Sequence, residues 1–399
     1  MVETPYSLYL HIPFCKHRCG YCDFNTTAGM EALIPPYVAA LRREISLIGE
    51  AAGERLPVHT VFFGGGTPSL LPAQAVAGIL DEIRIHFEVQ AGVEISLEAN
   101  PGTVLLESLR EFWAAGVNRL SFGMQSADPA ELTFLERQHD VFDVFRAIEW
   151  SRKVGFANIS LDLIFGLPGQ SLTSWVHTLE TALLLKPEHL SLYALTIEEG
   201  TPLHRWIRRG LATPPEDDLA AEMYERASER LEAAGFEQYE ISNWAVRDTN
   251  GRDLSCRHNL QYWRSLPYLG FGAGAHGFAE GMRIANVNGV RAYIKVCQNT
   301  ETVRFPAGPA AVTRDRLTSR VEMQEMMMVG LRLTQEGVSA AGFSQRFGLS
   351  LEEVFPRQIQ KLIAADLLEW AGENKNTLRL TKRGRLLGNR VFMEFVGED

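Results

Sequence analysis

The chain has 399 residues, of which 46% are hydrophobic and 22% charged, and this balance excludes a disordered or fibrous protein. Its 39 basic and 49 acidic side chains give a net charge of −10, which argues against a broad nucleic-acid-binding surface. No apolar run reaches the roughly 20 residues of a membrane span, and the first five residues lack the layout of a signal peptide. We expect a cytoplasmic protein of two or three domains.

The first half of the chain alternates short apolar runs with amphipathic segments. The apolar runs, predicted to be buried strands, are Ser7–Ile12, Thr60–Phe63, Glu94–Ala99, Arg119–Phe122, Asn158–Phe165 and His189–Ala194. The helical segments between them are Pro36–Ala51, Pro72–His86, Val104–Ala115, Val141–Val154 and Ser171–Leu185. Buried strands that alternate with helices predict a parallel sheet and an α/β fold. Six such strands would form a partial (β/α)6 barrel, two short of the complete eight.

The pattern changes after residue 200. We predict a barrel domain over residues 1–200, an α+β extension that completes its core over 201–304, a Pro- and Ala-rich linker over 305–318 and a C-terminal domain over 319–399. The extension opens with a long helix, Glu216–Ala234. The predicted elements of the C-terminal domain are helices Arg320–Thr334, Ala340–Phe347 and Leu351–Leu368 and a hairpin around Asn374–Leu380. This combination is typical of a winged-helix-like domain.

Three of the five cysteines are clustered after the first predicted strand. Cys15, Cys19 and Cys22 lie in one short loop, and clustered thiols in a reducing compartment indicate metal binding rather than disulfides. Soft thiolates suit zinc or an iron–sulfur cluster. One alternative is a zinc site with His17 as fourth ligand. The other is a four-iron cluster in which one iron stays open to an outside ligand.

A glycine-rich loop and several charged residues follow the predicted strands. The loop Gly64–Pro68 (GGGTP) lets the backbone approach a ligand, and its free amide and carbonyl groups suit an amino-acid moiety; a tight turn is the alternative. Glu98 and Asp162 lie in runs otherwise suited to burial, where an unpaired charge is costly. Arg137 suits a bidentate carboxylate. Each alone fits a buried ion pair, but several at the strand ends of one barrel indicate a site.

The spacing C-x3-C-x2-C and the GGGTP loop resemble the radical S-adenosylmethionine (SAM) superfamily, and the order of the later motifs resembles its coproporphyrinogen-oxidase-like branch. The resemblance implies a [4Fe–4S] cluster held by Cys15, Cys19 and Cys22. It also implies that SAM chelates the open iron and that one electron cleaves it to a 5′-deoxyadenosyl radical. The implied SAM contacts are Tyr9, Tyr21, Gly65, Gly66, Thr67, Glu98, Gln125, Arg137, Asp162, Ala194 and His276.

Two features distinguish families within this branch. The oxidase pattern carries a fourth cysteine where this chain has Phe24, and the H-N-x-x-Y-W string that begins at His258 resembles the HemW family of haem chaperones. That resemblance implies a protein that binds haem, lacks oxidase activity and delivers haem to membrane-bound respiratory apoproteins, with which transient contact is expected. The sequence leaves both a monomer and a homodimer open. His258 is then a candidate axial haem ligand, and Tyr262 and Trp263 are suited to stack on a porphyrin. Packing of the extension onto the barrel is the alternative for all three.

The residues alone are also compatible with other functions. The same two loops would serve a radical SAM enzyme that acts on a porphyrin or aromatic substrate, such as a coproporphyrinogen oxidase, a methyltransferase or a haem-degrading enzyme. Regulation through the C-terminal domain is a third reading. Cys256 is a second candidate haem ligand, although an inert buried thiol is more common, and nothing is assigned to Cys297.

Three further segments carry weaker patterns. The glycines of Gly270–Gly277 have no strand–helix unit around them, which argues against a dinucleotide-binding loop. The methionines between Met323 and Met328 have helical spacing and predict core packing. The cations of residues 374–390 predict a solvated basic face, with nucleic acid, propionates or an acidic partner as alternatives, so no nucleic-acid partner is expected.

Overall fold

The computed structural model describes residues 4–372 and 374–397; the other residues of the predicted first and last domains lie outside this range. The strands are β1 Tyr6–Ile12, β2 Phe14–Cys15, β3 Thr27–Ala28, β4 Pro57–Gly65, β5 Glu88–Ala99, β6 Arg119–Gln125, β7 Ile159–Phe165, β8 His189–Ala194, β9 Glu237–Glu240, β10 Asn243–Ala245, β11 Tyr268–Phe271, β12 His276–Ala279, β13 Met282–Asn286, β14 Ala311–Arg316, β15 Val338–Ser339, β16 Leu368–Ala371 and β17 Thr377–Leu380.

The helices of the described residues enclose these strands. They are α1 Ile34–Ala52, α2 Ala73–His86, α3 Leu106–Ala115, α4 Pro129–Phe134, α5 Val141–Val154, α6 Leu172–Leu184, α7 Pro202–Arg208, α8 Asp217–Ala233, α9 Arg257–Trp263, α10 Val290–Asn299, α11 Ser319–Gly330, α12 Ala340–Phe347, α13 Leu351–Val354, α14 Pro356–Ala364, α15 Lys382–Leu386 and α16 Gly388–Met393. Among the described residues, no helix has both the length and the apolarity that a bilayer span requires.

Twelve strands form one sheet, in the order β14-β13-β12-β11-β1-β4-β5-β6-β7-β8-β10-β9. The six strands from β1 to β8 in this order are parallel neighbours and match the six predicted apolar runs. Among the described residues this order is linear, with β14 at one end and β9 at the other, so the barrel is partial. The predicted α/β class is confirmed.

The apolar runs become strands because both of their faces are covered. On β1, Leu8 and Leu10 of one face and Ser7 of the other are all fully buried, which is the pattern of a parallel strand that faces the barrel lumen on one side and helices on the other. Local signals set the helix ends. Helix α5 begins after Asp140, whose side chain accepts the backbone N–H of Asp143, as in a helix N-cap.

The extension lengthens the sheet at both edges. On one side β11 runs parallel to β1, followed by antiparallel β12, β13 and β14; on the other, β10 and β9 are antiparallel to β8. Residues 305–318, predicted as a linker, differ from that expectation. They contain β14, and Ala307 and Ala310 are buried, because the open edge of β13 offers hydrogen-bond partners that the sequence pattern does not reveal.

The C-terminal domain has its own core and a three-stranded sheet in the order β15-β17-β16. The predicted helix Leu351–Leu368 is two helices, since Pro356 lacks an amide hydrogen and starts a new helix. Met323 and Met327 are buried in this core, which confirms the packing prediction. In the basic stretch, Arg385 donates to Gln238 Oε1 at 2.8 Å and so fastens the domain to the extension.

Candidate functional site

A cavity of about 610 Å³ lies between the barrel mouth, the extension sheet and helix α11. Its polar end is lined by Tyr9, Gly65 and Glu98, which belong to β1, β4 and β5. The lining residues from the extension and α11 include a set of aromatic and aliphatic side chains, which we call the aromatic end: Tyr262, Trp263, Leu266, Tyr268, Phe278 and Val329. This volume lies within the ~300–1,000 Å³ that is typical of small-molecule sites.

The cysteine loop lies beside the polar end. Strand β2 pairs with β3 and places Cys15 opposite Ala28, which closes the loop that carries Cys19 and Cys22. The Thr67 hydroxyl donates to Cys15 Sγ at 3.6 Å, and Arg137 Nη1 donates to Cys19 Sγ at 3.8 Å. Because hydrogen bonds from such donors stabilise thiolates, the three unpaired thiols suit metal ligation.

The thiols also influence one another. Burial raises the pKa of Cys15, and the neighbouring Cys22 and Cys19 raise that pKa further. His17 does not join them, since its Nε2 pairs with Glu136 at 3.2 Å. Within residues 4–372 and 374–397, no three or more His, Cys, Asp or Glu side chains lie close enough together to hold a single metal ion. The zinc alternative with His17 is therefore not supported, whereas a four-iron cluster spaces its ligand sulfurs more widely than one ion does.

The glycine loop touches both β1 and the cysteine loop. Gly66 N–H donates to Ile12 O and Thr67 N–H to Phe14 O, each at 2.8 Å. A Cβ at Gly66 would lie 2.7 Å from Phe14 O, so no other residue fits there without displacement of the backbone. The next glycine, Gly65, has φ 114° and donates its N–H to Glu98 Oε2 at 3.0 Å.

Two acidic side chains face the lumen from β5 and β7, the strands on either side of β6. Burial, and then repulsion from Asp162, raise the pKa of Glu98 to about 7. Burial also raises the pKa of Asp162, which accepts the Ser121 hydroxyl at 3.2 Å on both of its oxygens. Neither carboxylate forms an ion pair with a described residue, although Arg119, only 2% exposed, lowers both pKa values from a distance. The two acids are therefore free to accept hydrogen bonds from a polar or cationic ligand.

Arg137 links the cysteine loop to β6. Its Nη2 donates to Gly123 O at 3.0 Å. Burial raises the pKa of the neighbouring Tyr21, and the positive charge of Arg137 partly offsets that rise. Its Nε is buried and has no hydrogen-bond partner among the described residues. A buried N–H without a partner is costly, so a ligand oxygen at this position would stabilise the site.

Four of the remaining predicted SAM contacts lie on β1, β6, β8 and β12. Gln125 ends β6 with φ 65°, Ala194 ends β8, and His276 begins β12 and lines the cavity. Tyr9 donates to His11 Nδ1 at 3.1 Å, while His11 Nε2 donates to Asn25 O at 2.9 Å, so this histidine is neutral. The structure thus brings the predicted residues together around one barrel mouth.

Glu44, a residue that the sequence analysis did not single out, binds the loop before His276. Glu44 of α1 is fully buried and accepts hydrogen bonds from Gly272 N–H, Asn286 Nδ2 and Tyr293 Oη at 2.7–2.8 Å. Burial raises the pKa of Glu44 to about 7. The segment Gly270–Gly277 connects two strands, which confirms that it is not a dinucleotide loop. No local signal marks Glu44, because its partners are more than 200 residues away.

His258 does not meet the expectation of an axial haem ligand. The residue is 1% exposed and does not line the cavity. Its Nδ1 donates to Thr60 Oγ1 at 2.8 Å, because that hydroxyl gives its own hydrogen to Ser7, and its Nε2 accepts from Tyr262 Oη at 2.8 Å. Burial lowers the pKa of His258 to about 3. With both ring nitrogens engaged, the residue fills the barrel lumen, which agrees with the packing alternative.

Of the other candidate haem-binding residues near His258, one lies in the core and two line the cavity. Cys256 is fully buried and donates to Glu94 Oε1 at 3.6 Å, and burial raises the pKa of this thiol to about 12; this corrects its reading as a thiolate ligand. Cys297 is buried as well. In contrast, Tyr262 and Trp263 line the cavity, so the aromatic half of the motif reaches the site.

The chain matches two family models. The Radical SAM superfamily matches residues 9–182, and the HemN C-terminal domain matches residues 317–387. In structure, the chain is similar to the E. coli coproporphyrinogen III oxidase HemN, described as a radical SAM enzyme, with a TM-score of 0.82, 22% identity and coverage of 98% of this chain and 90% of that one. This likeness shows the fold. The fold and the site define a radical SAM protein.

Curated relatives narrow the class. Proteins named "Heme chaperone HemW" are 39% identical in Bacillus subtilis over 98% of this chain and 99% of the relative. Those of Mycobacterium tuberculosis (100% of this chain, 96% of the relative) and Escherichia coli (99% of each) are 38% and 35% identical. The chain therefore belongs to the HemW family of haem chaperones.

Proposed function

We propose that this protein carries a [4Fe–4S] cluster and SAM at the barrel mouth, binds haem in the adjoining cavity and delivers it to respiratory apoproteins from the cytoplasm. The observation that carries the proposal is the continuity of one cavity, from the glycine loop beside the cysteines to an aromatic end. The names of the relatives support haem as the ligand. A haem chaperone must bind haem without converting it to a product, and the aromatic end beside the cofactor site offers a place for such binding.

The cysteine loop would hold the cluster through Cys15, Cys19 and Cys22. When bound, the cluster supplies the electron for reductive cleavage of SAM and an open iron to which SAM binds. Thr67 and Arg137 hold two of the sulfurs through hydrogen bonds and so restrain the loop before the cluster binds.

SAM would lie over the glycine loop. Glu98 and Asp162 accept hydrogen bonds from ribose hydroxyls or the ammonium group, and the free Nε of Arg137 suits the carboxylate. Gly65 and Gly66 admit the methionine moiety close to the backbone. The other proposed contacts are Tyr9, Tyr21, Thr67, Gln125, Ala194 and His276.

A single preparation tests chaperone against enzyme. The cluster is reconstituted without oxygen, and haem and coproporphyrinogen are then offered to separate portions of the same sample with SAM and a reductant. We expect a stable Soret band and recovery of intact haem. Steady release of carbon dioxide from coproporphyrinogen would refute the chaperone proposal, and so would methylated or ring-opened haem formed together with 5′-deoxyadenosine.

Glu98→Gln should stabilise the ligand-free protein while weakening SAM binding. The folded-state pKa of Glu98 is about 7 against an ordinary 4.5, so the folded protein retains a proton that the unfolded chain has lost. Wild-type stability therefore falls relative to the variant as pH rises from 4.5 through 7. At pH 8 we expect Glu98→Gln to have a free energy of unfolding about 1–3 kcal/mol above wild type, and at pH 4 a similar one, both measured by urea denaturation.

The matched control is Glu94→Gln, on the same strand. Glu94 accepts the backbone N–H groups of Arg257 and His258 at 3.2 Å and lies near the buried Arg119. Neutralising it removes a compensating charge, so this variant should be less stable than wild type. A Glu98→Gln protein that loses stability at pH 8 as Glu94→Gln does would return Glu98 to a structural role.

A further inference from the structure

The aromatic end of the cavity has a chemistry distinct from that of the barrel mouth. Its walls include Trp263 at the end of α9 and Leu266 after it, Tyr268 and Phe278 of the extension sheet, and Val329 of α11. These side chains come from the extension and from the C-terminal domain. An apolar ligand with a broad flat face suits them better than the polar SAM molecule does.

One ion pair lies at this end. Arg283 of β13 is the one Lys or Arg side chain among the described residues that line the cavity. Its Nη2 contacts Glu325 Oε2 of α11 at 2.6 Å, with side-chain exposures of 43% and 20%. Burial raises the pKa of Glu325, so that carboxylate is the less well solvated partner. Arg283 is therefore a cation that a ligand carboxylate can reach. Its present partner, Glu325, is a charged carboxylate that burial disfavours.

We propose that haem lies against the aromatic end with one propionate paired to Arg283 in place of Glu325. This inference rests on the proposed haem-chaperone function and adds where haem binds and in which orientation. A guanidinium fork matches a carboxylate in bidentate geometry, and the flat walls match the macrocycle. Glu325 then acts as a competitor that occupies Arg283 when haem is absent.

The proposal predicts opposite effects for the two partners. With cluster-loaded protein, difference absorption titrations compare haem with haem whose propionates are esterified. Arg283→Met should weaken binding of the free-acid haem about tenfold, the loss of roughly one charge-assisted pair. Glu325→Gln should tighten it, because the competitor for Arg283 is neutralised. Binding of the ester should be unchanged in both variants.

Arg314→Met is the matched control. Arg314 is an exposed residue of the neighbouring strand β14, opposite Ile284, and does not line the cavity. Wild-type haem affinity is expected there. Equal effects of Arg283→Met on free acid and ester, or an unchanged free-acid affinity in both Arg283→Met and Glu325→Gln, would overturn this placement while the haem function stands. Absence of haem binding in the wild type would instead refute the proposed function.

Discussion

Replacing Cys15, Cys19 or Cys22 individually by alanine should abolish the iron–sulfur cluster. A [4Fe–4S] cluster bound by only three cysteines has no spare protein ligand, and Cys256 and Cys297 are buried within the barrel and extension. We expect reconstituted wild type to hold about four irons per chain and to show broad visible absorption. Each variant should lose both signals, measured by iron analysis and spectroscopy under anaerobic conditions.

The controls are Cys256→Ala and Cys297→Ala. These thiols lie away from the loop, so their variants should retain full iron content. Thr67→Val offers a graded comparison, since it removes only the hydrogen bond to Cys15 Sγ and should leave a cluster that assembles but is lost faster in air. Retention of four irons in Cys19→Ala, or their loss in Cys256→Ala, would show that the ligand assignment is wrong.

The barrel could be predicted because its signals are local. Apolar runs such as Ser7–Ile12 are buried on both faces, so their composition alone indicates parallel strands. The close approach of the glycine loop could also be predicted from the sequence, since Gly66 packs against β1 at a distance that excludes any side chain. Strand ends in a parallel barrel meet at one face, so the sequence alone places Glu98 and Asp162 at the same site.

The rest of the site depends on pairings that no local pattern records. Arg283 and Glu325 are 42 residues apart in sequence and belong to a strand and to a helix of different domains. Residues 305–318 have a linker's composition, yet Ala311–Arg316 pair with the edge of β13 as β14. For His258, the neighbouring aromatic residues suggested a porphyrin site, whereas the decisive partner, Thr60, lies 198 residues earlier.

His258→Ala should therefore destabilise the fold and not act as the loss of a haem ligand. Removing the buried imidazole leaves the Tyr262 hydroxyl without its acceptor and takes one donor from Thr60 Oγ1, which keeps its bond to Ser7. It also opens a cavity in the lumen, and the whole loss should cost about 2–4 kcal/mol. Chemical denaturation measures that loss. Haem titrated into the protein that remains folded should give the wild-type Soret maximum, because the iron ligand is unchanged.

His276→Ala supplies the contrasting control. His276 is exposed, lines the cavity and makes no side-chain hydrogen bond with the described residues, so its removal should change the free energy of unfolding by less than about 0.5 kcal/mol while weakening SAM binding. Thr60→Val should follow His258→Ala, since it breaks the same hydrogen bond at Nδ1 without touching the imidazole. A shifted Soret maximum in His258→Ala with unaltered stability would restore His258 as the axial ligand, and it would require Tyr262 to release Nε2 when haem binds.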